Sequence, residues 1–267
     1  MSAQPSPAPH ASASGLAAWF DDLLFAMIFL TRIPLPPGSA ARTHPLATAM
    51  RTFPVAGAII GGLGGTVFAL ATALGAPHAL AGAIAIAATV LITGALHEDG
   101  FADVADGFGG GYERERKMEI MRDSLLGTYG ATALVLSLLI RVVAVGTLGP
   151  MDALAAMIAA GALGRGLIPV SMILNFSARS DGVAASSGYP TEGSTWTAVL
   201  LGLLIAIVAL GPGEGFLAFF VALAGVAGLA ALAKRHIGGY TGDVLGCGAQ
   251  SVDILVLVLV ALLRAPV

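Results

Sequence analysis

The chain has 267 residues, of which 57% are hydrophobic and only 11% charged. Ordinary soluble domains are about 25% charged. A mean hydropathy of +0.88 with 36 glycines therefore excludes a water-soluble globule and indicates a polytopic helical membrane protein, in which small residues let helix backbones approach.

Residues 1–15 are rich in Ala, Ser and Pro and hold no Lys or Arg. They lack the basic n-region of a secretory signal and read as a disordered tail ahead of one membrane domain, 16–267. The single cysteine, Cys247, permits no intrachain disulfide, and the net charge of -3 says little because the charges are so unevenly placed. Apolar runs follow at roughly 16–31, 53–75, 79–96, 128–148, 153–175, 195–212, 216–233 and 251–263. Several fall short of the ~20 residues a full crossing needs, and the first and last read equally as half-helices. The expected fold is an all-α membrane bundle of about six to eight transmembrane helices.

The connections near 75–78, 149–152 and 213–215 are short and hold no basic residue, whereas those near 32–52, 97–127, 176–194 and 234–250 hold ten of the thirteen. If the spans alternate, the basic loops share one side, and the positive-inside rule makes that side cytoplasmic. An integral cytoplasmic (inner) membrane protein with its active face toward the cytoplasm is expected, with small-molecule substrates and the lipid bilayer as partners and no nucleic acid. Its glycine-rich helices are compatible with a homo-oligomer.

Polar islands punctuate these runs. Arg32 and Arg51 sit at span boundaries, placed either for topology and lipid head groups or for phosphate. Gly61-Gly62-Leu63-Gly64-Gly65 reads as a helix-packing face, since no strand precedes it as a phosphate-binding loop would require. The stretch from His97 to Asp123 then holds eight of the sixteen carboxylates: Glu98, Asp99, Asp103, Asp106, Glu113, Glu115, Glu119 and Asp123. Carboxylates are costly beside hydrocarbon, and the natural counter-charge is a hard divalent cation with oxygen ligands. Asp99, Asp103 and Asp106 are spaced i, i+4, i+7 and form one helical stripe. Glu98 flanks it. Glu119 and Asp123 are spaced i, i+4 and could face it across a turn built on Gly107 and Gly109–Gly111. Two such stripes suit Mg²⁺, which keeps positions open for substrate phosphates. Residues 113–117 read as an exposed charged turn. His97 is a candidate general base, ligand or capping group, and Arg122 with Ser124 and Thr128 a candidate phosphate contact.

Further on, Arg141 reads as snorkelling to an interface. Arg165 reads as paired with an acid, in a structural or a substrate-contacting role. Residues 189–193 read as a turn, and Gly182 to Gly188 as a mobile loop or lid. Gly238 to Gly246 form a flexible polar island. Asp243, Gln250 and Asp253 line one helical face read as part of a site, because an acid inside a span is functional by default.

Four blocks resemble the cobalamin synthase family, adenosylcobinamide-GDP ribazoletransferase: Phe29 to Pro34 with Phe53 to Gly57, His97 to Gly107, Glu119 to Gly130, and Gly238 to Asp243 with Gly246. Where the family tends to have glutamates near 250 and 253, this chain has Gln250 and Asp253. The resemblance implies an Mg²⁺-dependent phosphotransferase joining adenosylcobinamide-GDP to α-ribazole or its 5′-phosphate. A ribose 5′-oxygen would attack the corrinoid-side phosphorus, releasing GMP and giving adenosylcobalamin or its phosphate. In that scheme Asp99, Asp103, Asp106 and Asp123 hold metal. Asp103, Asp106 or His97 helps deprotonate the hydroxyl. Arg32, Arg122, Arg235 and Asp243 contact the phosphate-bearing substrate.

Three other readings compete. A CDP-alcohol lipid phosphotransferase has a signature like Asp103-Val104-Ala105-Asp106-Gly107, but it then needs Ala-Arg where this chain has Gly110-Gly111. An ion-coupled transporter places ionisable residues at mid-membrane, which only Arg165 and Asp253 favour. A purely structural subunit leaves the acidic stripe unexplained.

Overall fold

A computed structural model describes residues 15–36, 46–179 and 187–264. The tail at 1–14 and the loop residues 182–186 lie outside them. The described chain is helical without a strand ladder, and one isolated bridge joins Ser177 to Tyr240. The helices are α1 (Leu16–Leu30), α2 (Leu46–Ala49), α3 (Phe53–Ala73), α4 (His78–Thr93), α5 (Leu96–Gly110), α6 (Arg114–Ile120), α7 (Thr128–Gly146), α8 (Pro150–Gly166), α9 (Ile168–Leu174), α10 (Glu192–Leu210), α11 (Pro212–Ile237) and α12 (Gly242–Arg264).

Six stretches are long and apolar enough to cross a membrane: 46–73, 128–146, 150–174, 192–210, 212–237 and 242–264. A seventh is the pair α4 and α5, bent by 91°. The bend falls on Gly94 and Ala95, whose φ angles of 66° and 61° are left-handed. Glycine takes that conformation freely, whereas alanine resists it. The expected span at 79–96 therefore stops at Thr93, and the acidic stripe rides a separate helix. The last helix starts at Gly242 and is a full span of 23 residues rather than a half-helix.

The tightest packing pairs α3 with α8. A Cβ on Gly57 would run into the carbonyl of Gly161, one on Gly61 into that of Met157, and one on Gly65 would meet Leu154 Cα at 2.6 Å. The glycine face is thus a backbone-to-backbone seam, as such small-residue stripes allow. At the bundle end with the short loops, Arg264 holds Asp152 at 2.6 Å and Glu214 at 2.7 Å and donates to the Leu210 carbonyl. The other end carries the polar islands. There Phe176 and Ala178 bond Tyr240 through the backbone at 3.0 and 2.8 Å. Tyr240 is buried, and burial followed by its hydrogen bond with Tyr189 raises its pKa. The island expected to be flexible is therefore pinned to the segment after α9.

Gly61→Ala should misfold or destabilise the protein by about 1–3 kcal/mol or more through overpacking. Gly62→Ala, whose Cβ would meet only the Ile158 side chain at 3.5 Å, should be tolerated. Thermal unfolding of the two variants in detergent checks the contrast.

Candidate active site

Helix α5 carries the acidic stripe among small and apolar residues. Ala102 and Val104 are buried, whereas Asp99 is exposed, Asp103 half-buried and Asp106 buried. Its first turn packs on the start of α12: a Cβ on Gly100 would meet the Asp243 carbonyl at 2.7 Å. That close approach brings Asp243 to the acidic stripe. Asp99, Asp243 and Asp106 all act electrostatically on Asp103, opposed by Arg179. Arg179 Nη1 lies 3.5 Å from Asp243 Oδ2, and its Nη2 donates to the Met118 carbonyl. Thr241 Oγ1 donates to Asp243 Oδ2 at 3.1 Å and accepts from the Val244 N–H at 3.3 Å. This holds Asp243 at the helix start.

Asp99, Arg179, Thr241 and Asp243 edge a cavity of about 240 Å³, and Asp103 stands behind that edge. Its polar rim includes His97, Asp99, Ser177, Arg179, Thr241 and Asp243, and its apolar walls include Phe29, Phe53 and Met172. Arg179 also lines a second cleft of about 530 Å³, with Arg114, Glu119 and Arg122. Glu119 and Arg122 in turn line a third of about 600 Å³, with Asp106, Asp123 and Tyr129. Three clefts thus follow one another along one end of the bundle, joined by arginines and carboxylates.

The structure divides the expected metal set. Asp99 and Asp103 stay together and gain Asp243. Asp106 accepts from the backbone N–H of Gly127 at 2.7 Å and of Gly130 at 2.8 Å. It serves as the N-terminal cap of α7, where a carboxylate satisfies orphan donors and suits the helix dipole. A Cβ on Gly127 or Gly130 would strike that carboxylate, which accounts for both glycines. Glu119 and Asp123 do not share a helical face, because α6 ends at Ile120. Glu119 pairs with Arg116 at 2.6 Å, and Asp123 Oδ1 accepts from the Leu125 N–H. The glycines at 107–110 continue the helix, and the chain turns only after Gly111. Among the described residues, no three His, Cys, Asp or Glu side chains converge on one metal position.

The arginines are also re-sorted. Arg122 lines two clefts. Arg32 lies against Gly94 at the α4–α5 bend, and Arg235, exposed near the end of α11, lines none of these three clefts. Arg179 takes the central place. It was visible only as one more basic residue in a loop. Arg51 bonds Asp22 at 2.6 Å and lies over the Trp19 ring. Arg141 does not snorkel: it is buried and pairs with Glu98 at 2.7 Å. Lys117, expected in an exposed turn, is buried and donates to the Tyr112 carbonyl.

Beneath the cavity, Arg165 Nη1 lies 2.6 Å from both oxygens of Asp253, and Arg165 Nη2 lies 3.4 Å from His97 Nδ1. Gln250 donates to Ser137 at 3.3 Å. Glu98, Arg141, Arg165 and Asp253 surround a small cavity of about 20 Å³, enough for one water.

A family model described as cobalamin-5-phosphate synthase matches residues 22–261. The chain belongs to the cobalamin-5-phosphate synthase family. Relatives called adenosylcobinamide-GDP ribazoletransferase include one from Bradyrhizobium diazoefficiens, 44% identical over 90% of this chain and 93% of the relative. Another, from Mesorhizobium japonicum, is 44% identical over 89% and 91%. A third, from Allorhizobium ampelinum, is 40% identical over 92% and 98%. No solved structure matches. The family match takes in all three clefts and the two buried pairs, Glu98–Arg141 and Arg165–Asp253.

Asp106→Asn should lose about 1–3 kcal/mol of stability, because the amide can accept at only one atom and leaves a buried N–H unpaired. Asp99→Asn, exposed, should change stability by less than about 0.5 kcal/mol. Unfolding midpoints in detergent distinguish the cap from the cavity rim.

Proposed function

We infer that this chain catalyses the reaction its relatives are named for: transfer of the phosphocobinamide group of adenosylcobinamide-GDP to α-ribazole or its 5′-phosphate, with release of GMP. The observation that carries this reading is the coincidence of the acid-rich stretch with an arginine-linked row of clefts, within a chain matched by the family over residues 22–261. A bulky corrinoid, a diphosphate and a nucleoside need such a row rather than one small pocket. The family's product, cobalamin 5-phosphate, also corrects the expected nucleophile. An oxygen already esterified at the ribose 5′ position cannot attack, so the nucleophile is a ring hydroxyl of the ribazole. Its oxygen forms a bond to the corrinoid-side phosphorus as the bond to GMP breaks, and the hydroxyl proton leaves to a carboxylate beside the rim.

Mg²⁺ fits the donors at the rim. Asp99 and Asp243 offer oxygen ligands within electrostatic range of each other, and magnesium is ordinarily held by one or two carboxylates plus substrate phosphates rather than by a closed protein cage. Asp99 and Asp243, which share the cavity wall, would hold it together with the substrate's phosphates, and when bound it would supply neutralisation of the diphosphate's developing charge. Arg179 and Arg122 are placed to steady phosphate oxygens along the clefts, as a planar guanidinium does well. Asp103, half-buried beside like charges, is the residue assigned to take the proton. The basic loops support a cytoplasmic orientation for this face, and we assign the chain to the inner membrane on that reading.

Purified protein in detergent, given adenosylcobinamide-GDP, α-ribazole and Mg²⁺, should release GMP and form cobalamin in equal amounts. Asp103→Asn and Asp243→Asn should each slow turnover by about 10²-fold or more, and chelation of Mg²⁺ should stop it. Folded protein without product would overturn the reaction. Product formed undiminished by both variants would overturn the assignment of the rim.

A further inference from the structure

His97 is almost fully buried, at 2% exposure, yet lines the 240 Å³ cavity. Its Nδ1 faces Arg165 Nη2 at 3.4 Å. A guanidinium has five donors and no acceptor, so in this contact Nδ1 accepts, and the ring proton of a neutral imidazole resides on Nε2. Arg165 is itself not free to turn, because its other terminal nitrogen lies 2.6 Å from both oxygens of Asp253. Neighbouring Gly164 leaves room for that carboxylate: a Cβ there would stand 2.9 Å from Asp253 Oδ1. His97 thus ends a chain of three residues drawn from three helices, and of the three it alone lines this cavity.

We propose that the Asp253–Arg165 pair fixes His97 as the Nε2–H tautomer, so that His97 donates a hydrogen bond into the cavity and is not the general base. The donor would meet an anionic or carbonyl oxygen of the substrate, and Arg165 and Asp253 act as positioning residues through the imidazole. The catalytic part of this inference rests on the reaction proposed above, whereas the tautomer does not.

The test has two arms. Full-length protein labelled with ¹⁵N-histidine is studied by NMR in detergent, the His97 signal being identified by its loss in His97→Gln. The two-bond coupling pattern of the Nε2–H tautomer is expected, giving way to a mixture of tautomers in Asp253→Asn. An Nδ1–H pattern in the wild type overturns the proposal. In the second arm, His97→Gln keeps an N–H donor near the Nε2 position and should retain turnover within about tenfold, with unchanged pH limbs. His97→Ala should lose about 10²–10³-fold in kcat, the cost of removing one preorganised donor, with little change in KM. Glutamine as inactive as alanine in a folded protein overturns the donor role. Wild type that forms no product would sink the reaction and leave the coupling pattern to decide the tautomer.

Discussion

Two ion pairs buried among membrane helices set the constraint on which the rest of the structure depends. Glu98 on α5 meets Arg141 on α7, and Asp253 on α12 meets Arg165 on α8. A charge in this setting is costly unless it is paired. Stripping one partner from a buried pair typically costs about 3–5 kcal/mol, so neither α5 nor α12 can rotate or slide without exposing an unpaired charge. Such pairs need not add net stability over apolar residues of equal size. What they impose here is register. With α5 locked by Glu98, the stripe that begins one residue later meets the start of α12, and His97 meets Arg165.

Close packing does the remaining work. The carbonyls of α8 sit where side chains of α3 would otherwise be, and that seam carries Arg165 to its place next to Gly57. Gly100 does the same for α5 and α12, bringing the Asp243 backbone within reach of the acidic stripe. Gly127 and Gly130 leave space for the Asp106 carboxylate. The glycines in this chain are therefore not only a membrane signature. At these contacts each one sets how closely a charged group can approach its partner.

The resulting site has a graded polarity that suits phosphoryl transfer at a membrane surface. Apolar walls from α1, α3 and α9 form one side of the cavity, and carboxylates with Arg179 form the rim. Arg179 and Arg122 carry the positive charge onward into the open clefts. The buried His97 stands at the boundary between the dry ionic layer and the cavity. That position makes it suited to shaping a bond to substrate, because its other edge is already committed to Arg165.

Much of this was legible in the sequence. Apolar runs long enough to span a bilayer declared the helical bundle, since the bilayer's thickness sets helix length directly. The i, i+4, i+7 spacing of Asp99, Asp103 and Asp106 declared a helical stripe, since helix geometry is local. The need of Arg165 for an acidic partner followed from the cost of burying charge, whereas Asp253 read as part of a site. The partners themselves did not. That Arg165 takes Asp253, that Arg141 takes Glu98, that Asp106 caps α7 instead of joining the rim, and that Asp243 and Arg179 replace Asp123 and Arg235 all depend on contacts between residues far apart in the chain. Periodicity states which face of a helix a residue occupies, but it carries no information on which helix that face will meet. Only the tertiary packing, set by backbone approach at glycines and by the pairing of buried charge, decided that.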